Sequence, residues 1–388
     1  MTQTTQITQL TKKPTPYYYY NKEILQQTLD AVKAEVSKHD NYFVHYAIKA
    51  NANPIVLEPI REAGFGIDCV SGGEIEVSLK AGFPAEKIVF AGVGKADWEI
   101  EMGIDNNIFC FNVESIPELE VINTIAEQKG KVANICLRIN PNVGAHTHAN
   151  ITTGLSENKF GIDMAHMFDV IKMAKNMKNV AFKGLHFHIG SQILEMDDFI
   201  ALCHRINELQ DQLDEQGISV GIINVGGGLG VDYDDPMGNP IPQFKEFFEV
   251  YNTHLKLREG QELHFELGRA IVAQCGSLMT KVLYMKDNTN KKFAIVDAGF
   301  TELIRPALYG AHHKIVNLTS DGPLETYDVV GPICESSDTF DTDIQLNQVK
   351  RGDLIAILSA GAYGESMASC YNCRRLPKSY SSEDILAE

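Results

Sequence analysis

What this chain lacks narrows it before any motif is read. No run of 18 apolar residues occurs, so nothing in it reads as a helical span of a lipid bilayer. Positive charge is scarce: 34 Lys and Arg stand against 51 Asp and Glu, a formal net charge of −17. That balance leaves no basic field to draw nucleic acid or an anionic membrane surface. The leader MTQTTQITQLTKKPTP is rich in Thr and Gln and has no apolar stretch of the secretory kind, so a cytoplasmic protein is expected. The eight cysteines follow no regular spacing and suit reduced thiols. Only Cys370 and Cys373 form a C-x-x-C, and no second pair or nearby His pair completes a four-ligand zinc site, so no metal is expected there. There is no solenoid-type repeat, and no low-complexity stretch beyond the leader and the Tyr17–Tyr20 run.

What is present is enough for a large core: 388 residues, 44% of them apolar. From residue 22 to 270 short apolar strands alternate with helix-like stretches. Examples are YFVHYAIK followed by PIVLEPIREAG, FGIDCVS followed by GGEIEVSLKAG, and IFCFNVES followed by IPELEVINTIAEQKG. ANICLRIN, AFKGLHFHIGS, ISVGIINVGGG and ELHFELGR continue the series. About eight strands spaced by helices predict an α/β protein with an N-terminal (β/α)8 TIM-like barrel. Past Arg269, segments such as GSLMTKVLYMK, KKFAIVDAG, TYDVVGPIC and DLIAILSAGAYG are β-rich and closely spaced. They predict a second, C-terminal, mainly antiparallel β domain over 271–388.

Barrel enzymes gather their chemistry at the C-terminal ends of the strands. Lys49, in HYAIKANANP, falls where an apolar run gives way to Asn51, Asn53 and Pro54. Asp68, His188, the glycines 226–228 and the pair Glu266 and Arg269 fall at other strand ends. INVGGGLGVDY offers backbone N–H groups unobstructed by side chains, as an anion needs, and equally serves a tight strand-to-helix turn. It is not a dinucleotide fingerprint, because Val231 stands where the third glycine of G-x-G-x-x-G belongs. A lysine able to form a Schiff base, an anion cradle and an acid beside a ring nitrogen are what pyridoxal 5′-phosphate requires. The H-x-H of His186 and His188 is also a metal-ligand spacing, so a metal-dependent barrel hydrolase stays open on these residues alone. So does a barrel that binds the cofactor without catalysis.

The ordered set YAIKAN, IDCVSGGE, HFHIGSQ, NVGGGLG, ELGR, GPICESSD and GAYG resembles the alanine-racemase-type (fold type III) pyridoxal-phosphate decarboxylases over nearly the whole chain. NPNVGAHTHANITTGLSENKFGI, RPALYGAHH and CESSDTF resemble the members that act on meso-diaminopimelate rather than on ornithine or carboxynorspermidine. The resemblance implies decarboxylation of meso-diaminopimelate to L-lysine and carbon dioxide, the last step of lysine biosynthesis. The alternatives within the same cofactor class are a decarboxylase acting on ornithine, lysine or carboxynorspermidine, and an alanine racemase. For the chain's residues it implies that Lys49 holds the cofactor covalently, His188 stacks on its ring and Glu266 meets its nitrogen. Ser191, Gly228 and Tyr363 would hold the phosphate, with Gly268 and Arg269 beside it and Asp68 and Glu74 supporting. Cys334 would donate a proton, and Arg269, Arg305, Tyr309, Glu335 and Tyr363 would hold the substrate. It further implies that residues 1–21 join the β domain, and that a homodimer shares its active sites, Cys334 and Glu335 reaching the opposite subunit. Charge agrees: a distal carboxylate and ammonium call for both a cation, Arg305, and an anion, Glu335. One departure is Leu267, where the family usually has Pro.

Overall fold

The structure, a computed structural model, describes residues 3–143 and 159–387. The chain forms two compact units. The first comprises Leu29–Gly230 and Gln243–Gly268; the second takes the N-terminal residues through Thr28, Val231–Pro242, and everything from Arg269 onward.

The first unit is a closed parallel barrel. Its strands are β1 (Tyr42–Ala47), β2 (Gly66–Cys69), β3 (Ile88–Phe90), β4 (Cys110–Val113), β5 (Ala133–Asn140), β6 (Val180–His186), β7 (Ile222–Asn224) and β8 (Glu262–Leu267). Each pairs in parallel with the next in this order, and β8 returns to β1 with Leu263 opposite Tyr42. β2 and β4 are buried at every position, as strands covered on both faces must be. Short polar residues start the helices that follow. Asn53 accepts from the Ile55 N–H ahead of Pro54, Ser71 from Glu74, and Ser115 from Glu118. Each such cap is worth about 1 kcal/mol.

The second unit is a mainly antiparallel sheet. Its strands are β9 (Gly276–Asp287), β10 (Lys292–Val296), β11 (Ile315–Asn317), β12 (Leu324–Val330), β13 (Thr339–Asn347), β14 (Leu354–Ile357) and β15 (Lys378–Ser381). They run in the order β11-β14-β9-β10-β12-β13, with only β10 and β12 parallel along this path. The N-terminal strand Tyr17–Tyr20 is part of this sheet, antiparallel to β9 with Tyr20 opposite Gly276 and parallel to β15. All four tyrosines are buried, and the hydroxyls of Tyr17 and Tyr18 donate to the carbonyls of Leu10 and Glu302, so the aromatic run costs no unpaired O–H. Among the described residues no helix is long and apolar enough to cross a membrane.

Candidate active site

The barrel gathers a polar cluster on the ends of its strands. Lys49 lies in the one-turn 3₁₀ segment Ile48–Ala50 directly after β1. That turn is pinned because the Tyr46 hydroxyl donates to Asn51 O (2.8 Å), while Asn51 Oδ1 accepts from the Asn53 N–H (2.9 Å). Asn and Pro at these positions therefore end the strand and aim the lysine. Its ammonium is 3.9 Å from Oδ2 of Asp68, a buried residue of β2 whose Oδ1 has no hydrogen-bond partner. Burial first, then the Glu266 carboxylate, push the Asp68 carboxyl well above the usual carboxylate range, with Lys49 pulling it back. Glu74 accepts from the Val70 N–H (2.6 Å) and closes the same turn.

Glu266, on β8, is held from three other strands. Oε1 accepts from Asn112 Nδ2 of β4 and Asn224 Nδ2 of β7, both at 2.8 Å, and Oε2 lies 2.9 Å from His186 Nε2 of β6. Burial acts to raise its carboxyl, but His186 first, then His188 and Lys49, outweigh that and hold the group below the usual range. An ionised carboxylate has about four acceptor positions. Three are filled, so one stays for a further donor. Asn224 also accepts the Gly226 N–H through Oδ1 (2.9 Å), which links this carboxylate to the glycine loop.

That loop packs against backbone. A Cβ on Gly227 would strike the Glu266 carbonyl, and one on Gly228, whose φ is +113°, would come within 2.9 Å of Gly190 O. The glycines are thus required by close approach, and the same close approach lays the Gly228 loop along the Gly190–Ser191 loop, with the Ile193 N–H donating to Gly228 O. The Gly227 N–H donates to Nδ1 of His188 (3.2 Å), which fixes the ring and leaves the hydrogen on Nε2. Burial, then Arg138 and Lys49, keep this imidazole neutral, well below its ordinary pKa. A neutral, oriented ring is suited to stacking rather than to carrying charge. Leu267, the departure from Pro, is the last residue of β8, paired opposite Tyr46.

A lysine at a strand end, a neutral oriented imidazole, two adjoining backbone loops and a buried carboxylate with one open acceptor position fit pyridoxal phosphate. The unpartnered buried atoms Asp68 Oδ1 and His186 Nδ1 lie in the same constellation. Comparison decides the family. Residues 23–273 match the pyridoxal-binding domain of the pyridoxal-dependent decarboxylases. The chain belongs to this family. It is an enzyme, a carbon–carbon lyase that uses pyridoxal phosphate. A diaminopimelate decarboxylase of Bacteroides thetaiotaomicron is 66% identical over 372 residues, covering 96% of each chain. The crystal structure of diaminopimelate decarboxylase from Helicobacter pylori complexed with L-lysine is 40% identical, with a TM-score of 0.90 over 95% of this chain and 92% of that one. The enzyme from Methanocaldococcus jannaschii in complex with L-lysine is 37% identical, with a TM-score of 0.89, over 96% and 88%.

The remaining residues named from the sequence belong to the second unit. Arg305 and Tyr309 are the first and last residues of one short helix, one turn apart, ended by Gly310 in the left-handed region. Arg305 is buried, and Nη1 donates to the Tyr233 hydroxyl (2.9 Å) and to His313 Nε2 (2.9 Å). His313 Nδ1 donates to Leu358 O, and burial followed by Arg305 lowers its pKa to about 3, so it is a neutral acceptor. Arg269 donates to the same Tyr233 hydroxyl (2.7 Å) and lies 5.0 Å over the ring of Tyr363, itself at a φ of +56°. Cys334 and Glu335 are exposed in the loop between β12 and β13, where Glu335 Oε1 accepts from the Tyr371 hydroxyl (2.6 Å). Cys370 and Cys373 flank this tyrosine as exposed free thiols, and the described residues hold no group of three metal-ligating side chains.

Asn112, Asn224, Tyr233 and His313 were not foreseen. An i, i+2 reading of the strands would have found Asn224, inward two residues before the glycines, but nothing local marks the others. NPNVGAHTHANITTGLSENKFGI lies largely outside the described residues, over 144–158.

Proposed function

We propose that the enzyme removes carbon dioxide from the D-configured end of meso-diaminopimelate and releases L-lysine. The observation that carries the substrate is Arg305. Its guanidinium is buried, yet among the described residues its partners are a phenol and a neutral imidazole, with no carboxylate in reach. A buried cation without an anion costs several kcal/mol, and a substrate carboxylate relieves that cost. Ornithine would bring a second cation to it, which excludes that substrate.

Pyridoxal phosphate, when bound, supplies the electron sink that takes up the bonding pair left by the departing carbon dioxide. Lys49 anchors it. Asp68 Oδ2, 3.9 Å from the Lys49 ammonium, is placed to hold a proton at that nitrogen. Glu266, kept ionised by His186, Asn112 and Asn224, accepts the N–H of the ring and holds that proton in place. Ser191 and Gly228, with Tyr363, Gly268 and Arg269, would take the phosphate, and His188 would stack on the ring. Arg305 and Tyr309 take the distal carboxylate and Glu335 the distal ammonium. Cys334 gives its thiol proton to the carbon that lost the carboxylate and regains one from solvent. Carbon dioxide release from meso-diaminopimelate, lysine, ornithine and arginine tests the reading: only the first should turn over rapidly. Faster release from ornithine would replace it.

The exposure of Cys334 and Glu335 supports a two-fold dimer in which each site joins Lys49 of one protomer to Cys334 of its partner. Refolding an equal mixture of Lys49→Ala and Cys334→Ala chains should then make roughly half the dimers mixed, each with one intact site, and restore up to about a quarter of wild-type activity. No recovery in proven mixed dimers would confine the site to one chain.

A further inference from the structure

The second unit holds a hydroxyl with a donor to spare. Tyr233 sits in Val231–Pro242, the short stretch between the glycine loop and the helix Phe244–His254. A phenol has two acceptor lone pairs and one hydrogen. Both lone pairs are taken, by Arg269 Nη1 at 2.7 Å and Arg305 Nη1 at 2.9 Å. The hydrogen finds no acceptor among the described residues. The ring is half-buried and gripped: His313 packs edge-on at 5.1 Å, and the guanidiniums of Arg305 and Arg269 lie 5.0 and 6.0 Å from its centre. The oxygen is therefore fixed between two cations, and its one remaining bond can only be made outward.

Resting on the assignment of Arg305 to the distal carboxylate, we infer that Tyr233 is a substrate-binding residue whose hydroxyl donates to that same carboxylate. Two guanidiniums and a phenol then form one receptor. Arg305 brings charge, and Tyr233 joins the two arginines so that neither swings away when the site is empty. An acceptor-only group completes the set. An ammonium in this place would face two cations and a donor, so the hydroxyl sharpens selection for an amino-acid terminus over an amine terminus.

The two guanidiniums outweigh the effect of burial, which acts the other way, and set the phenol below its ordinary pKa. His313, packed against the ring, is neutral. A carboxylate accepting the hydroxyl hydrogen must favour the protonated phenol, so bound ligand should raise its pKa again.

The test compares L-lysine, which keeps the distal carboxylate, with cadaverine, which lacks it, on the holoenzyme. Tyr233→Phe keeps the ring and removes the hydroxyl. It should weaken L-lysine binding by about 10- to 100-fold, the loss of a hydrogen bond to a charged group, and leave cadaverine binding unchanged. Unchanged L-lysine affinity, or equal weakening of both ligands, overturns the inference. Because the variant could disturb the arginines, a second probe keeps the hydroxyl. 3-Fluorotyrosine at position 233 should show by fluorine NMR a phenol pKa that rises on adding L-lysine and not on adding cadaverine. A phenol that ignores L-lysine sinks the inference. If wild-type enzyme releases carbon dioxide from meso-diaminopimelate while these outcomes fail, the role of Tyr233 falls and the proposed reaction stands. If wild-type enzyme neither binds L-lysine nor turns over meso-diaminopimelate, both fall.

Discussion

Lys49→Ala is expected to reduce turnover to background and to leave no covalently held cofactor. One other lysine lies close to the cluster, and the comparison between the two is decisive. Lys95 is fully buried, and its ammonium donates to Gly92 O, Asn112 O and Glu118 Oε1 at 2.6 to 2.9 Å. All three protons are committed, and freeing that amine would strand the Glu118 carboxylate. Lys49 instead is partly open, with Asp68 at ion-pair distance, and it ends a strand whose turn is fixed by Tyr46 and Asn51. A nucleophilic amine needs access, and of these two Lys49 has it while Lys95 is sealed in. Borohydride reduction of the holoenzyme followed by peptide mapping should place the pyridoxyl group within HYAIKANANP. Label on Lys95 or on any other lysine would reassign the site.

Arg305→Ala should lower kcat/KM for meso-diaminopimelate by about 30-fold to several thousand-fold, corresponding to roughly 2–5 kcal/mol for one member of a desolvated charged pair. Free Arg305 is already desolvated, its partners among the described residues being Tyr233 and His313, so little of its hydration remains to be lost when the anion arrives. Most of the attraction is therefore available for binding, and the loss should appear in KM more than in kcat. A steady-state comparison of the two parameters checks this. Near-wild-type kcat/KM would mean that the distal carboxylate is held elsewhere, with Tyr309 the first alternative one helical turn away.

The sequence made the barrel legible because each strand-to-helix switch carries its own chemistry. Asn53, Ser71 and Ser115 stop a strand and start a helix within a few residues, so Lys49 and Asp68 could be assigned to strand ends without coordinates. Glu266 and the glycines were visible for the same reason. What stayed hidden is how one strand's residue answers another's. The carboxylate of Glu266 owes its charge to Asn112, His186 and Asn224, three strands that no local pattern joins. His186 in particular stood in a spacing that left a metal site open, and it bonds Glu266. Tyr233 carries no local signal, and the fold of the second unit gives it two arginines.

The pairing of Tyr17–Tyr20 with β9 has a consequence for how the chain is made. On the ribosome this buried strand emerges about 250 residues before the partner that will cover it, a separation that makes its pairing entropically slow if the intervening chain is loose. The barrel removes that obstacle. Because β8 closes onto β1, with Leu263 beside Tyr42, completing the barrel draws the chain's entrance and exit together and turns a very long loop into a short one. Synthesis order and topology thus cooperate: the inserted barrel acts as the clasp for the sheet it interrupts.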